Sequence, residues 1–439
     1  MMFIYIINVL LIFRNTTLYV FSILALAIAN TTLIFEREIT QPIPMTNSYK
    51  TIRQLAVAAA LSSFTLQSMA QGDAAQLIKA GTADVNTLMN GYMSPLMKSF
   101  GAGLNSGWFQ TAKPHGIGGF DLTFSLNVPF APTADQSYDV TNFNALKLDP
   151  SSAGTTTAPS IFGEQKDGPL MNIMATNPLH TRFASTFPGM TNPYNQDTAI
   201  TSLTLPQGLG SNMFLVPTAQ FSIGVGFGTE VGIRFIPTMG SGDVSTGLFG
   251  FAIKHDFKQW IPGIKEMPFD LSAMFGYTGF NFENKFTGTS ALKAETGADI
   301  RPDGSGNAYD NQKITFDSKA WTTNVIISKK LGPLTPYLGV GYQRSNTTLK
   351  MAGDFPITMI NESYDPAAAP GSANSYVKKI DVISDPISIE GALGGFRANV
   401  GFRLKLLLLT IHGDYTFANY NVASVGVGLN LQSIVPFKL

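Results

Sequence analysis

Four histidines, His115, His180, His255 and His412, are the residues best suited to hold a metal ion or move a proton near neutral pH. They stand far apart, with no His-x-x-x-His or His-Glu-x-x-His spacing to set two imidazoles on one ion, so no metal site is read from them. Asp299 to Asp310 has the composition of a calcium loop, with Asp303, Gly304, Asn307 and Asp310. Arg301 fills its third ligand place and no glutamate closes it, so a solvated loop is expected instead. Gly-x-Ser-x-Gly and Walker patterns are missing, and Gly304-Ser305-Gly306 lacks the strand-to-helix setting of a nucleophile or phosphate site. His412, Asp414 and Ser424 have the residue types of a hydrolase or acyltransferase. Asp414 follows His412 by only two residues, however, and nothing marks Ser424 as activated. No catalytic residue and no cofactor is assigned.

A second constellation is Arg234, Arg397, Arg403, His412 and Asp414, and its chemistry depends on the elements that carry it. Phe120, Leu122, Phe124, Leu126, Val128 and Phe130 alternate with Asp121, Thr123, Ser125 and Asn127, which gives one strand an apolar and a polar face. The period-two pattern recurs in Phe221 to Phe227 and, after a turn at Gly228-Thr229-Glu230, in Val231 to Phe235. Further strands are read at Gly247–Phe257, Phe269–Phe282, Lys313–Ser328, Tyr337–Lys350, Ala392–Leu404, Leu407–Phe417 and Val422–Leu431. If phenylalanine and leucine mark a lipid face, the five charged or titratable residues point inward. A lysine or arginine turned into hydrocarbon costs roughly 2–4 kcal/mol near the midplane, which favours that orientation. Two roles stay open: structural pairing with acidic neighbours and a packed helix, or a polar lining that selects solute charge.

Ahead of the strands the period is helical. From Asp73 to Phe100, Leu77, Ile78, Val85, Leu88, Met89, Tyr92, Met93, Leu96, Met97 and Phe100 keep the spacing of one helical face. Gly81 and Ser94-Pro95 interrupt it, so two short helices and one long one are both compatible. Such a helix either packs on a core or, in a barrel, fills the lumen as a plug. The plug residues would be Leu88, Met89, Tyr92, Met93, Leu96 and Met97. Methionines there would let it repack around an apolar ligand or simply fill gaps.

The segment before the helix reads as targeting sequence. Lys50 and Arg53, the apolar run Leu55 to Phe64 and Ser68-Met69-Ala70 form a secretory signal over residues 45–70, with cleavage leaving Gln71 first. Residues 1–44 hold another apolar stretch, Leu18 to Phe35, and are read as mis-assigned upstream sequence. Only 13% of the residues are charged, against about 25% in a soluble globular protein. Basic and acidic residues both number 29, so no net field points to nucleic acid. Cysteine is absent, which removes disulfides, thiolate metal sites and a cysteine nucleophile.

These features predict an all-β fold: a transmembrane antiparallel β-barrel over 116–439, with a helical plug or periplasmic segment over 71–115. The long connections, at 131–212, 283–312 and 351–391, fall on one side, as in barrels with long external loops and short periplasmic turns. Ten strands are legible directly. The stretches from Ala131 and after Met351 have room for more, which sets the expected count at about 14, with about 12 next. Ser424 to Leu431 resembles the polar-x-Gly-x-x-apolar-x-apolar signal by which barrel-assembly machinery recognises a last strand.

The blocks Phe100-Gly101-Ala102-Gly103-Leu104-Asn105-Ser106-Gly107-Trp108, Thr111 to His115, Gly119 to Leu122, and Pro268 to Leu271 with Gly276-Tyr277-Thr278 resemble an uncharacterised outer-membrane barrel family of Bacteroidota. That resemblance implies fold and a Gram-negative outer membrane, and carries over no functional residue. The order of helical segment and large barrel also looks like the architecture of the long-chain fatty-acid transporter family. The expected function is passive or gated transport of small or hydrophobic solutes. The alternatives are a barrel that anchors surface partners through its loops and, less favoured, a barrel hydrolase or acyltransferase. The expected partners are outer-membrane lipid, the assembly machinery and a hydrophobic small molecule.

Overall fold

Where apolar and polar side chains alternate, each strand offers one face to each of two media, and ten such strands close on themselves. The computed structural model describes Ile78 and residues 81–431, apart from 177, 194, 289, 303–308, 310 and 362. The signal segment, the stretch 1–44, the start at Gln71, the first residues of the expected helix and most of the calcium-like loop lie outside the described residues.

The barrel strands are β1 (Phe120–Phe130), β2 (Val216–Gly226), β3 (Thr229–Ser241), β4 (Val244–Asp256), β5 (Asp270–Lys285), β6 (Lys313–Ser328), β7 (Leu334–Ala352), β8 (Ile387–Leu406), β9 (Leu409–Phe417) and β10 (Asn421–Leu431). Each pairs antiparallel with the next, and β1 closes the ring on β10, with Phe120 opposite Leu431 and Phe130 opposite Asn421. Closure leaves no free edge around the ring, which is what a spanning sheet requires where no water can satisfy backbone groups.

The expected count of about 14 strands, or about 12, is corrected to the ten that were legible directly. The extra stretches fold on themselves. Ser137–Asp139 pairs with Thr157–Pro159; Leu146–Leu148, Leu170–Thr176 and Asp197–Thr204 form a second small sheet; Ile300–Arg301, Asp354–Ile360 and Lys378–Ser384 form a third. The longest of these strands has 8 residues, whereas crossing a bilayer takes about 9–11. Prolines at 132, 150, 159, 169, 178, 188, 193 and 206 also remove ladder donors from the first long connection. With ten strands, the likeness to the fatty-acid transporter architecture loses the strand number on which it partly stood.

Two turns also differ from the sequence reading. The β2–β3 turn is Phe227-Gly228, both at positive φ (50° and 68°), as a two-residue type I′ connection demands. The β8–β9 turn is Leu407-Leu408, so the strand read as Leu407–Phe417 starts at Leu409. Along β1, Asp121, Thr123, Ser125 and Asn127 are buried while Phe124 is exposed. Val225, Phe235, Phe249, Ile253, Leu338, Val340, Val400, Phe402, Ile411 and Leu429 are exposed likewise. Apolar surface of this extent belongs in hydrocarbon. Its edge toward the long loops is aromatic: Phe251, Tyr277, Trp321, Tyr342 and Phe396 sit on neighbouring strands, with ring centroids 5.8 Å apart for Phe251–Tyr277 and 5.5 Å for Tyr342–Phe396. Above them the outward positions turn polar, at Lys319, Arg344, Asn346 and Glu390. Among the described residues no helix is long and apolar enough to cross a membrane.

Candidate functional site

The lumen holds the chain's own N-terminal segment. Helix α1 (Thr82–Leu104) is one element with Pro95 inside it, so Ser94-Pro95 does not divide it, whereas Gly81 stands at positive φ just ahead of its first turn. Proline lacks the N–H that would reach the carbonyl of Gly91, and a mid-helix proline costs about 3 kcal/mol; the buried face on both sides of it offsets that. Leu88, Met89, Tyr92, Met93, Leu96 and Met97 are all buried.

The first half of α1 is held by the long-loop end of the molecule. The Asp84 carboxylate accepts from the backbone N–H of Asn144 (2.9 Å), Ala145 (2.6 Å) and Leu146 (3.0 Å). Tyr92 donates to the carbonyl of Gln207 at 3.0 Å. The side-chain amide of Asn86 receives Ser388 N–H (2.7 Å) and donates to Pro386 O (3.1 Å), so it stands in for a strand partner at the upper end of β8. The second half descends into the ring, where small residues allow close approach. A Cβ on Gly101 would lie 2.0 Å from Ser345 Oγ, and one on Gly103 2.4 Å from Val216 Cγ2.

Two of the five predicted lumen residues grip the lower end of this helix. The last carbonyls of a helix have no intrahelical donors and carry the negative end of its dipole. Here each is supplied. Asn105 N–H donates to Gly101 O, and Ser106 gives its N–H to Gly103 O and its hydroxyl to Ala102 O. Arg234 then donates to Leu104 O and Ser106 O, both at 2.8 Å, and Arg397 to Asn105 O at 2.7 Å. Arg397 also reaches Gln343 (3.3 Å) and Thr416 (3.1 Å), and the Arg234 guanidinium stacks 3.7 Å from the Trp108 ring centroid. Arg234 is 0% exposed and Arg397 4%. Their hydrogen-bond acceptors are main-chain carbonyls and neutral side chains, not the carboxylates anticipated by the structural reading.

From Asn105 the chain continues through the turn half of the lumen before entering β1, territory that the sequence reading had left to the helix. Trp108 lies against Gly250 and Gly276; a Cβ on the latter would come 3.0 Å from the indole nitrogen. Phe109 lies under Gly339 and meets Tyr337 edge-on at 6.0 Å. These rings, with Ala112, Ala252, Met274 and Ile326, form a small apolar core inside the barrel. Below it the contacts turn polar. His115 Nδ1 is 2.7 Å from Glu230, Lys254 pairs with the same carboxylate at 3.0 Å, and Asn430 lies 2.6 Å from His115 Nε2 and 3.0 Å from Asp121. Gln110 donates to Asp121 at 3.2 Å and Ser328 Oγ accepts from Ala112 N–H at 3.0 Å.

The other three candidates do not join this grip. Arg403 is buried, its Nε has no hydrogen-bond partner, and it lies within electrostatic reach of Asp121, Glu230 and Asp270. His412 is buried with Nε2 3.3 Å from Ser125 Oγ, while its Nδ1 has no partner. Asp414 accepts from the Tyr337 hydroxyl at 3.0 Å, and Ser424 Oγ has no partner. His412, Asp414 and Ser424 are thus close in the sheet without forming a hydrogen-bonded relay. No cluster of three or more metal-binding side chains occurs among the described residues. Sequence reasoning missed Trp108, Phe109, Gln110, Glu230 and Lys254. Their signal was present as glycine or apolar residues at inward positions, Gly250, Gly276, Gly339, Met274 and Ile326, where a water-filled lumen would place polar ones.

Residues 49–431 match the model of a family of unknown function, DUF6588. The chain belongs to this family. Among curated proteins none matches. Similar solved structures include Ail, the attachment invasion locus protein of Yersinia pestis, at 6% identity, covering 72% of this chain and 98% of that one with a TM-score of 0.20. The translocator domain of the autotransporter NalP from Neisseria meningitidis is 10% identical, with 77% and 94% covered and a TM-score of 0.23. The outer membrane transporter YddB from Escherichia coli is 10% identical over 71% of this chain and 41% of its own length, with a TM-score of 0.26. At this distance the family member's architecture rests on its own strand pairing.

Proposed function

We propose that this family member is an outer-membrane β-barrel of a Gram-negative bacterium, closed by its own N-terminal segment, which opens for small or hydrophobic solutes when that segment moves. The observation that carries the reading is the clasp of Arg234 and Arg397 on the carbonyls of Leu104, Asn105 and Ser106. The lower part of the segment is held by hydrogen bonds and ion pairs as well as by the small apolar core around Trp108 and Phe109. Water can replace the neutral hydrogen bonds at modest net cost, about 0.5–1.5 kcal/mol for a typical one, so that part of the hold can be exchanged for hydration. The barrel is read as non-catalytic. The test is planar-bilayer conductance of a variant lacking residues 73–115 but keeping its signal. Its conductance should exceed that of the full chain, whereas locking α1 through Met97→Cys and Gly391→Cys should hold conductance low until a reductant is added. A Cβ on Gly391 would lie 2.5 Å from Met97 Cβ, so the helix and β8 must part by about 1 Å to reach the Cβ–Cβ spacing of a disulfide, roughly 3.5–4.5 Å.

A second reading has its own support. The long connections are folded sheets, and Arg182 of helix α2 (Pro178–Thr186) joins Asp365 across two of them at 2.9 Å. A built outer surface suits a platform for partners. A deletion variant that folds but conducts no more than the full chain would favour the platform over the gate.

A further inference from the structure

The barrel wall is uneven. β7 and β8 run 19 and 20 residues, while β9 and β10 run 9 and 11. β9 leaves β8 at the pair Ala398–Phe417, and past that step β8 continues toward the long loops with β7 as its strand partner on one side. On the outer surface at this step lies a groove of ≈ 630 Å³, walled by Thr323, Val340, Tyr342, Phe396, Ala398 and Phe417. It is a shallow depression, open to the surrounding medium rather than enclosed. It opens within the apolar belt, just at its aromatic edge, so the medium that meets it is acyl chain.

The charged residues next above the groove are cations, with the outward carboxylates Asp317 and Glu390 in the row beyond them. Arg344 stands outward on β7, next along that face from Tyr342 and opposite Trp321 of β6. Its side chain leans toward β8, where a Cβ on Gly394 would lie 3.9 Å from Arg344 Cγ and 3.3 Å from the Tyr342 hydroxyl. Lys319, opposite Asn346, is the second outward cation at this height, with Asp317 the next outward residue beyond it on β6. Neither cation has an ion pair among the described residues.

We propose that this groove binds one acyl chain of an anionic, phosphate-bearing lipid of the leaflet on the long-loop side, with Arg344 and Lys319 facing its phosphate. The assignment rests on the membrane-spanning part of the reading above and is independent of whether the lumen opens. Its occupant follows from continuity with the lipid belt below and from the charge of the rim above. An arginine at the interface offers a planar fork to a phosphate, and a lysine adds a point charge.

Native mass spectrometry of the full chain released from micelles, with phosphatidylglycerol, phosphatidylcholine or inorganic phosphate added, tests it. One phosphatidylglycerol should survive activation that strips the remaining lipid, and phosphatidylcholine should be held more weakly. The Arg344→Gln/Lys319→Gln variant should lose about thirtyfold in retention, the scale expected for two interfacial cations. Ala398→Trp, which fills the groove and leaves the cations, should lose the lipid as well. Folding of each variant is checked by heat-modifiable mobility. Equal retention of the two lipids with both variants unaffected would overturn the site, and so would displacement of the bound lipid by inorganic phosphate, because the acyl chain would then contribute nothing. Failure of the wild-type chain to insert into vesicles would instead overturn the membrane reading beneath it.

Discussion

At the scale of single residues, buried charge is used here on backbone. Arg234 and Arg397 sit where a helix C-terminus leaves carbonyls in need of donors, and a guanidinium can serve several at fixed angles, which an ammonium cannot. Arg397→Met should therefore destabilise the folded barrel by about 2 kcal/mol, the cost of leaving a buried carbonyl unpaired and losing charge-assisted bonds. Arg397→Lys should recover only part of it. Urea-induced unfolding of the reconstituted protein measures the loss, and a double cycle with Arg234→Met should show coupling because both side chains hold one helix end. Additive effects would mean that the two arginines act on separate structures. Trp108 tells the same story from the apolar side, since its ring fits only because positions 250 and 276 are glycine.

At the scale of elements, the small sheets beyond the barrel are held by carboxylates near their ends. The Ser384 hydroxyl (2.5 Å) and then the Asn311 amide (3.0 Å) keep Asp354 below the usual carboxylate range. The Lys378 ammonium, at 3.0 Å, does the same for Asp299 and ties Lys378–Ser384 to Ile300–Arg301. A depressed folded pKa gives stability that is complete above the unfolded value and fades as pH falls through the folded one. Both sites are exposed, so the effect is local. The expected outcome is that pepsin cleaves within residues 353–386 increasingly as pH drops below about 4, near the unperturbed aspartate value, while the barrel strands stay protected. Cleavage that does not change between pH 5 and 2.5, with pepsin activity normalised on an unfolded control, would show that these carboxylates do not hold the sheet. The turns carry a related lesson. Phe227 and Leu407 are 89% and 93% exposed at positive φ, a backbone region costly for bulky residues, yet they extend the apolar belt to the very tips.

For the whole molecule the order of threading matters. The chain meets the long-loop end at Asp84, descends the lumen past Arg234 and Arg397, reaches the turn end near His115, and only then rises as β1. If the long loops face outward, a cysteine placed at Ala369 should react with an impermeant maleimide on intact cells, and one placed at Lys330 should react only after lysis. The native chain has no cysteine, so the background is clean. The reverse labelling pattern would invert the orientation and put the anionic-lipid groove in the other leaflet.

The ten spanning strands were legible because each must present an apolar face to lipid and a contrasting face inward over its whole length, a constraint written residue by residue as alternation. Lys313–Ser328 is the same in the sequence reading and in the structure, and most other ends differ by a few residues. The arginines' inward side was legible for the same reason. Alternation could not count strands in the long connections, because a short alternating run pairs equally well in a small outer sheet. Nor could it place turns at Phe227 and Leu407, where tips beside a membrane need not be polar. The partners of Arg234 and Arg397 were decided only by tertiary structure. They are carbonyls of a segment more than a hundred residues away in sequence, and a backbone carbonyl leaves no mark in the identity of the residue that carries it.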